Sequence, residues 1–356
     1  MKRLRFAIVG CGRIATQKHA PILAHELEGA ELVAVCDIKH ERAMEMGRNY
    51  NVPFYTDFHR MMRECRETDV VSLCTESGNH GRHTIALARY GKHIVVEKPI
   101  ALTLNDADAM REACRRNRCR LFVVQQNRYN PPVRKLKEAV REGRFGRIFL
   151  ATVRVRWCRH QNYYDRDKWR GTWRYDGGVF AQQANHYLDA IEWLVGGVKT
   201  VFARSANAFA AIEAEDTGTV SLTFRNGALG LIEATTAARP DDIEGSISIL
   251  GSRGTAEVGG FALNEIKLWK FEENIPGDDA VAELCRTAPP TVYGFGHYHY
   301  LKDVIDAILS HKRAPVGGAE GEKALRLIHA VYASIERGRE VLLDDRPVSR
   351  RLGRSS

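Results

Sequence analysis

The sequence predicts an α/β protein whose first half is a doubly wound parallel sheet. Three observations predict it. Short β-branched runs alternate with helical segments, a Gly-x-Gly-x-x-Ala turn joins the first run to the first helix, and an acidic residue ends the second run. The length of 356 residues suits two domains better than one, and 44% hydrophobic residues can supply a core to each. The expected division is 1–125 and 126–356.

Taken in order, residues 4–9 form a continuous apolar run that ends in Gly10-Cys11-Gly12-Arg13-Ile14-Ala15. A strand follows at 31–36, closed by Asp37, then a helix at 39–50 and a short strand at Phe54-Tyr55. Strands at 69–74, 93–97 and 121–125 alternate with helices at 80–90 and 105–117. Apolar runs of this length, without polar alternation, fit strands covered on both faces by crossover helices. Beyond them the pattern gives a helix at 132–141, a strand at 148–157 and helices at 179–195 and 300–309.

Composition excludes several classes. The net charge of +9 is spread along the chain, with local enrichment at 111–120, 134–147, 154–159 and 346–354. No basic run is interleaved with aromatics as in a nucleic-acid module, so no nucleic-acid partner is expected. Such a surface would still steer an anionic small substrate. No apolar stretch approaches the ~20 residues needed to cross a bilayer, so no membrane partner is expected. Met1-Lys2-Arg3 runs straight into the first strand without a cleavable segment, which gives a cytoplasmic expectation. The 8 cysteines show no pairing pattern, and Cys114 and Cys119 lack the histidine or second pair that zinc would need. Reduced thiols and no metal are expected.

The glycine turn gains meaning from its setting. It follows the first strand and opens a helix, and Asp37 ends the next strand 25 residues after Gly12. That is the Rossmann arrangement for a dinucleotide. Gly10 allows the tight turn, Gly12 lets backbone approach the pyrophosphate, and Ala15 permits close helix–strand packing. The helix N-terminus offers free N–H groups to the phosphates. Asp37 can bond the adenosine ribose hydroxyls and would repel a 2′-phosphate, which favours NAD over NADP.

The strand at 93–97 ends in Glu97-Lys98-Pro99, at the carboxyl edge where open α/β sheets bind ligands. On Thr75-Glu76-Ser77-Gly78-Asn79-His80, Ala86-Leu87, Gly91-Lys92-His93 and Glu97-Lys98-Pro99, the chain resembles the Gfo/Idh/MocA oxidoreductase family over essentially its whole length. The resemblance implies that Lys98 reaches both the nicotinamide and a substrate hydroxyl. It implies further cofactor contacts from Arg13, Ile14, Thr75, Asn79, His80, Glu97, Gln126, Trp169 and Arg170. It also implies a second, α+β domain with a large, open, mostly antiparallel sheet whose exposed face supports homodimers or tetramers.

In the second half, Tyr175-Asp176-Gly177-Gly178 precedes the helix expected at 179–195. At 100° per residue, Gln182, His186, Asp189 and Trp193 fall within ~60° of one another, opposite Phe180, Ala184, Tyr187, Leu188, Ile191 and Leu194. His186 therefore lies off the apolar stripe, and the two glycines before the helix argue for a cleft. The family pattern places an Asp four residues before this His. Gln182 stands there instead, and an amide only donates and accepts hydrogen bonds.

The blocks Asn162-Tyr163-Tyr164-Asp165, Trp169-Arg170-Gly171-Thr172-Trp173, Asp176-Gly177-Gly178 and Gln183-Ala184-Asn185-His186-Tyr187 resemble the family branch that oxidises C3 of UDP-N-acetylglucosaminuronate. Asn127-Arg128-Tyr129-Asn130-Pro131 and Tyr293-Gly294-Phe295-Gly296-His297 are similar too. This resemblance implies a nucleotide-sugar substrate met by Lys98, Arg128, Tyr129, Arg156, Tyr164, Gln182, Asn185, His186 and His297. His186 is the candidate base, since imidazole can be neutral near pH 7, and Lys98 the group that orients the hydroxyl. Lys98 becomes the base if burial lowers its pKa. A dehydrogenase of free sugar or inositol, an NAD-dependent glycosidase and a cofactor-binding sensor are the rival readings.

Overall fold

The computed structural model describes residues 3–260, 262–285, 294 and 296–354, except the side chains of 282 and 284. The chain divides into two compact units: Met1–Gln125 with His297–Glu322, and Gln126–Gly296 with Lys323–Ser356. The first unit thus takes in His297–Glu322 in addition to the chain up to Gln125.

In the first unit, strands β1 (Leu4–Val9), β2 (Ala30–Cys36), β3 (Phe54–Tyr55), β4 (Val70–Leu73), β5 (His93–Val96) and β6 (Leu121–Val123) form a sheet of order β3-β2-β1-β4-β5-β6. Every pairing in it is parallel. This order is the doubly wound one, with its switch between β1 and β4. Phe6, Ala7, Ile8, Val70, Val71, Ile94, Val95 and Val96 are wholly buried, as strands covered on both faces require.

Helices α1 (His40–Tyr50), α2 (Phe58–Glu64), α3 (His80–Ala88) and α4 (Leu104–Arg116) make the crossovers. The Thr103 hydroxyl caps α4 by accepting from the Asp106 N–H at 3.0 Å. The helix that follows the glycine turn is wound in wide π-type turns at Ala15–His19 and Ile22–Glu26. The returning segment closes the edge of β6. The Val123 N–H donates to the Val316 carbonyl at 2.9 Å, and Arg120 donates to the carbonyls of Ala307 and Lys312.

In the second unit, β7 (Ile148–Arg156), β8 (Val198–Ala206), β9 (Thr217–Phe224), β10 (Leu229–Thr235), β11 (Glu244–Gly251), β12 (Gly254–Gly259), β13 (Glu265–Phe271) and β14 (Val341–Leu342) form a sheet of order β13-β12-β11-β7-β10-β9-β8-β14. Only β7 and β10 pair in parallel among the described residues. The mostly antiparallel sheet implied by resemblance is thus present. Alternation along it is clean. Ala151, Val153 and Val155 of β7 are buried while Arg154 is exposed, and in β10 Ile232 and Ala234 are buried while Leu229 and Leu231 are 58% and 50% exposed.

Helices α5 (Pro131–Arg141), α6 (Gln161–Asp165) and α7 (Asn185–Val195) belong to this unit. The helix expected from 179 begins only at Asn185, because buried side chains take the backbone donors ahead of it. The Tyr332 hydroxyl accepts from the N–H groups of Gly178 and Ala181, at 3.1 and 3.3 Å, and Glu215 accepts from Phe180 at 3.2 Å. Residues 179–184 therefore run as turns.

Candidate active site

In the first unit, the glycine turn is shaped by close contact and by open space. Gly10 has φ +96°, and a Cβ there would lie 2.7 Å from the Cys74 carbonyl, so only glycine fits. A Cβ on Gly12 would meet nothing within 4 Å, which leaves room for a bound group over its backbone. Ala15 is fully buried against the sheet. Asp37 Oδ2 accepts the Cys11 N–H and Oδ1 the Lys39 N–H, both at 2.8 Å. The acid is thereby fixed at the end of β2 beside the turn, with lone pairs left for two hydroxyls. These features fit a dinucleotide. Arg13 is exposed and Ile14 half-buried on the same turn.

The loops after β4 and β5 are tied together. His80 is buried and lies 2.8 Å from the Pro99 carbonyl and 3.0 Å from the Thr75 carbonyl. Burial pushes its pKa down, so the neutral ring donates to one of them. His80, a candidate cofactor contact, braces two backbone segments. Thr75 Oγ1 lies 3.1 Å from His83 Nδ1, and the Asn79 amide donates to Glu76 at 3.0 Å.

Glu97 is buried at the end of β5. Its Oε1 lies 2.9 Å from His19 Nε2 and 3.2 Å from His297 Nε2, and its Oε2 accepts the Lys98 N–H at 3.2 Å. Burial opposes the carboxylate, but the two imidazoles hold its pKa well below the usual range. Burial also opposes charge on His19, yet the Cys74 thiol and Glu97 outweigh it and raise His19 to about 10. His297 is lowered by its own burial. Lys98 is half-buried and joined to Pro99 by a cis peptide bond. His297, a candidate substrate contact, is wholly buried, with Glu97 as a partner. Tyr293 and Phe295 of its loop lie outside the described residues.

In the second unit, Gln126 and His186 form one buried pair, with the Gln126 amide nitrogen 2.9 Å from His186 Nε2. An amide N–H donating here leaves the ring proton on Nδ1, and a reversed amide moves it to Nε2. Gln126, expected at the cofactor, thus sets the tautomer of the candidate base. Beside it, Asn185 is wholly buried, and neither its side-chain oxygen nor its nitrogen has a hydrogen-bond partner. An unsatisfied amide in the interior costs about 1–3 kcal/mol. Gln182 donates to Asp176, whose other oxygen accepts the Gly171 N–H at 2.7 Å. The carboxylate that the family pattern puts at position 182 is thus present one hydrogen bond behind it. Nothing in helical periodicity could have found that pair, because residues 179–184 are not helical.

Other candidate contacts have partners within the protein. Arg128 clamps Asp189 through two hydrogen bonds of 2.6 and 2.7 Å, both residues being buried, and its guanidinium lies 5.1 Å from the Trp193 ring. Tyr129 is buried with the Arg134 guanidinium 4.5 Å from its ring. Tyr164 is buried with its hydroxyl 2.8 Å from Thr236 Oγ1, and burial pushes it up to about 12. Arg156 bonds Glu233 at 2.7 and 2.9 Å on the open face of the sheet. Strand alternation puts that face opposite the one carrying Val155, which α7 covers. Arg170 stacks on Trp169 and Tyr163 and donates to the Tyr163 hydroxyl at 2.7 Å, lining a cavity of about 360 Å³ with Gln161, Tyr164 and Lys168.

No helix among the described residues is long and apolar enough to cross a membrane. Residues 4–125 match the NAD-binding Rossmann fold of the oxidoreductase family, and residues 137–343 match its C-terminal alpha/beta domain. The chain is similar to the WlbA dehydrogenase from Bordetella pertussis, solved with NADH and UDP-GlcNAcA. The two share 41% identity at TM-score 0.90, over 96% of this chain and 98% of the other. The WlbA dehydrogenase of Chromobacterium violaceum, also solved with NADH and UDP-GlcNAcA, shares 40% identity at TM-score 0.90 over 96% of each chain. The myo-inositol 2-dehydrogenase of Thermotoga maritima is 29% identical over 96% of this chain and 99% of its own length. With both halves matched in sequence order, the chain belongs to the Gfo/Idh/MocA oxidoreductase family, and its first unit is the NAD-binding Rossmann domain.

Proposed function

We propose that this enzyme oxidises the C3 hydroxyl of UDP-N-acetylglucosaminuronate to the ketone, with NAD as oxidant, in the making of a surface polysaccharide precursor. The observation that carries the reading is the identity of 40–41%, spread over nearly the whole chain, to two dehydrogenases solved with that sugar nucleotide and NADH. Bound at the glycine turn and Asp37, NAD supplies a hydride acceptor. The residues of the chain do the rest. Lys98 orients the hydroxyl and offsets negative charge as it develops on oxygen. His186 takes the proton on Nδ1, with the Gln126 amide turned so that its oxygen accepts from Nε2–H. Gln182, Asn185 and Tyr129 position the sugar.

A homo-oligomer, dimer or tetramer, is part of the proposal. The half-exposed Leu229 and Leu231 on the open sheet face support it. A second reading, oxidation of a free sugar or inositol, draws on the similarity to the inositol dehydrogenase of Thermotoga maritima.

The deciding experiment follows NADH absorbance with UDP-N-acetylglucosaminuronate, free glucuronate and myo-inositol. Turnover of the nucleotide sugar alone is expected, whereas a preference for inositol would transfer the assignment to the second reading. His186→Ala and Lys98→Met should each lower kcat by ~100-fold or more with NAD affinity kept. Combining them should cost far less than the product of the two losses if both serve one step.

A further inference from the structure

The proposed chemistry gives no task to the Glu97 carboxylate of the Glu-Lys-Pro motif. That carboxylate is heavily tied. Three donors converge on it from separate stretches of the first unit: His19 from the helix after the glycine turn, Lys98 through its own backbone, and His297 from the returning segment. His19 is itself held from behind, its Nδ1 lying 2.6 Å from Ser72 Oγ on β4. The two imidazoles stand edge to face with ring centres 5.6 Å apart, and each has one nitrogen on the same carboxylate oxygen.

A buried carboxylate needs partners, but one cationic partner would satisfy the charge. Two rings on one oxygen do more, because they fix where the carboxylate points. What it points to is the other oxygen's partner, the Lys98 N–H. We propose that His19 and His297 are positioning residues for Lys98: by pinning Oε1 of Glu97 they aim Oε2 at the Lys98 backbone, and so set where the ammonium stands. The inference rests on the reading of Lys98 given above. It adds the reason that the segment carrying His297 is built into the first unit. His19 and Glu97, one cationic and the other anionic, leave the neighbourhood of Lys98 without net charge from this pair. The network thus holds the lysine by geometry.

The test compares His297→Leu, which removes the donor, with His297→Gln, whose amide N–H can replace Nε2–H. Turnover of UDP-N-acetylglucosaminuronate with NAD should fall ~10- to 100-fold in His297→Leu through kcat, the sugar KM and NAD Kd staying within about threefold. His297→Gln should recover most of that loss. A readout independent of turnover is amide hydrogen exchange in the peptide carrying Lys98, which should quicken in His297→Leu and return towards wild type in His297→Gln.

Unchanged kcat in His297→Leu overturns the proposal. So does a glutamine variant as impaired as the leucine one, or a loss shared equally by NAD binding. One equivalent of zinc in purified protein, lost from His297→Leu, would also overturn it, since the three donor atoms lie within 4.8 Å of one another and would then be ligands. If His297→Leu melts before assay, Glu97→Gln carries the same comparison. Lys98→Met separates the two layers: full activity there defeats the reading of Lys98 itself, while an inactive Lys98→Met beside a fully active His297→Leu defeats only the positioning.

Discussion

Asp37 shows how a single side chain can do two jobs with one carboxylate. It closes the glycine turn through the Cys11 N–H and stands at the end of β2, where the adenosine ribose of a dinucleotide is held. Asp37→Ala should therefore weaken NAD and, by lifting the repulsion of a 2′-phosphate, tighten NADP, shifting the ratio of the two dissociation constants by ~10-fold or more, the worth of charge-assisted hydrogen bonds. Equilibrium titration with both nucleotides measures it, and a constant ratio would remove Asp37 from cofactor choice. As candidates, Asp37, Lys98 and His186 were legible because motifs point to them. His19 and Asp176 were not, since each acts through a partner 78 or 6 residues distant and neither has a spacing that chemistry dictates. The arginines are hard to read from sequence for a related reason. A guanidinium is as well suited to a buried carboxylate as to a phosphate, and Arg128 and Arg156 have taken carboxylates.

At the scale of elements, the turn before α7 is where sequence and structure part. Periodicity extends the helix back to Val179, but Glu215 and Tyr332 hold the backbone donors of Gly178, Phe180 and Ala181. Glu215 packs so tightly that a Cβ on Gly178 would lie 2.2 Å from its carboxyl. Burial raises that carboxyl to about 7, despite the N–H groups and the Tyr332 hydroxyl that favour its charge.

The sign follows from proton counting. Between the ordinary carboxylate value and about 7, the folded protein keeps a proton that the unfolded chain has released. Stability should accordingly fall as pH rises through that window and level off above it, by roughly 3 kcal/mol in all. Glu215→Gln, neutral throughout, should lack this component, so its advantage over wild type in urea midpoint should grow from pH 5 to pH 8. Parallel profiles for the two proteins would show that Glu215 titrates as an ordinary acid.

For the whole molecule, the parallel sheet was written in plain apolar runs and the antiparallel one was not. Strands that are covered on one face only, as β9 and β10 are, spread their signal over alternate residues and break it with glycines such as Gly218 and Gly230. Only the resemblance to a family disclosed that sheet in advance. Its open face also sets the expectation for assembly. Leu231→Lys with Leu229→Lys should shift the protein to a smaller species in light scattering at micromolar concentration, with the fold intact by circular dichroism. An unchanged mass would place the subunit contact elsewhere.

The late return of His297–Glu322 also bears on the order in which the protein can be made. A nascent chain emerges from its first residue, and domains generally fold as they appear. Here the first unit waits for a strip encoded after most of the second unit. Until then its sheet keeps a bare margin along β6, and the carboxylate before Lys98 lacks one of its three partners. Readiness for chemistry therefore waits on a stretch made well after the sheet it completes.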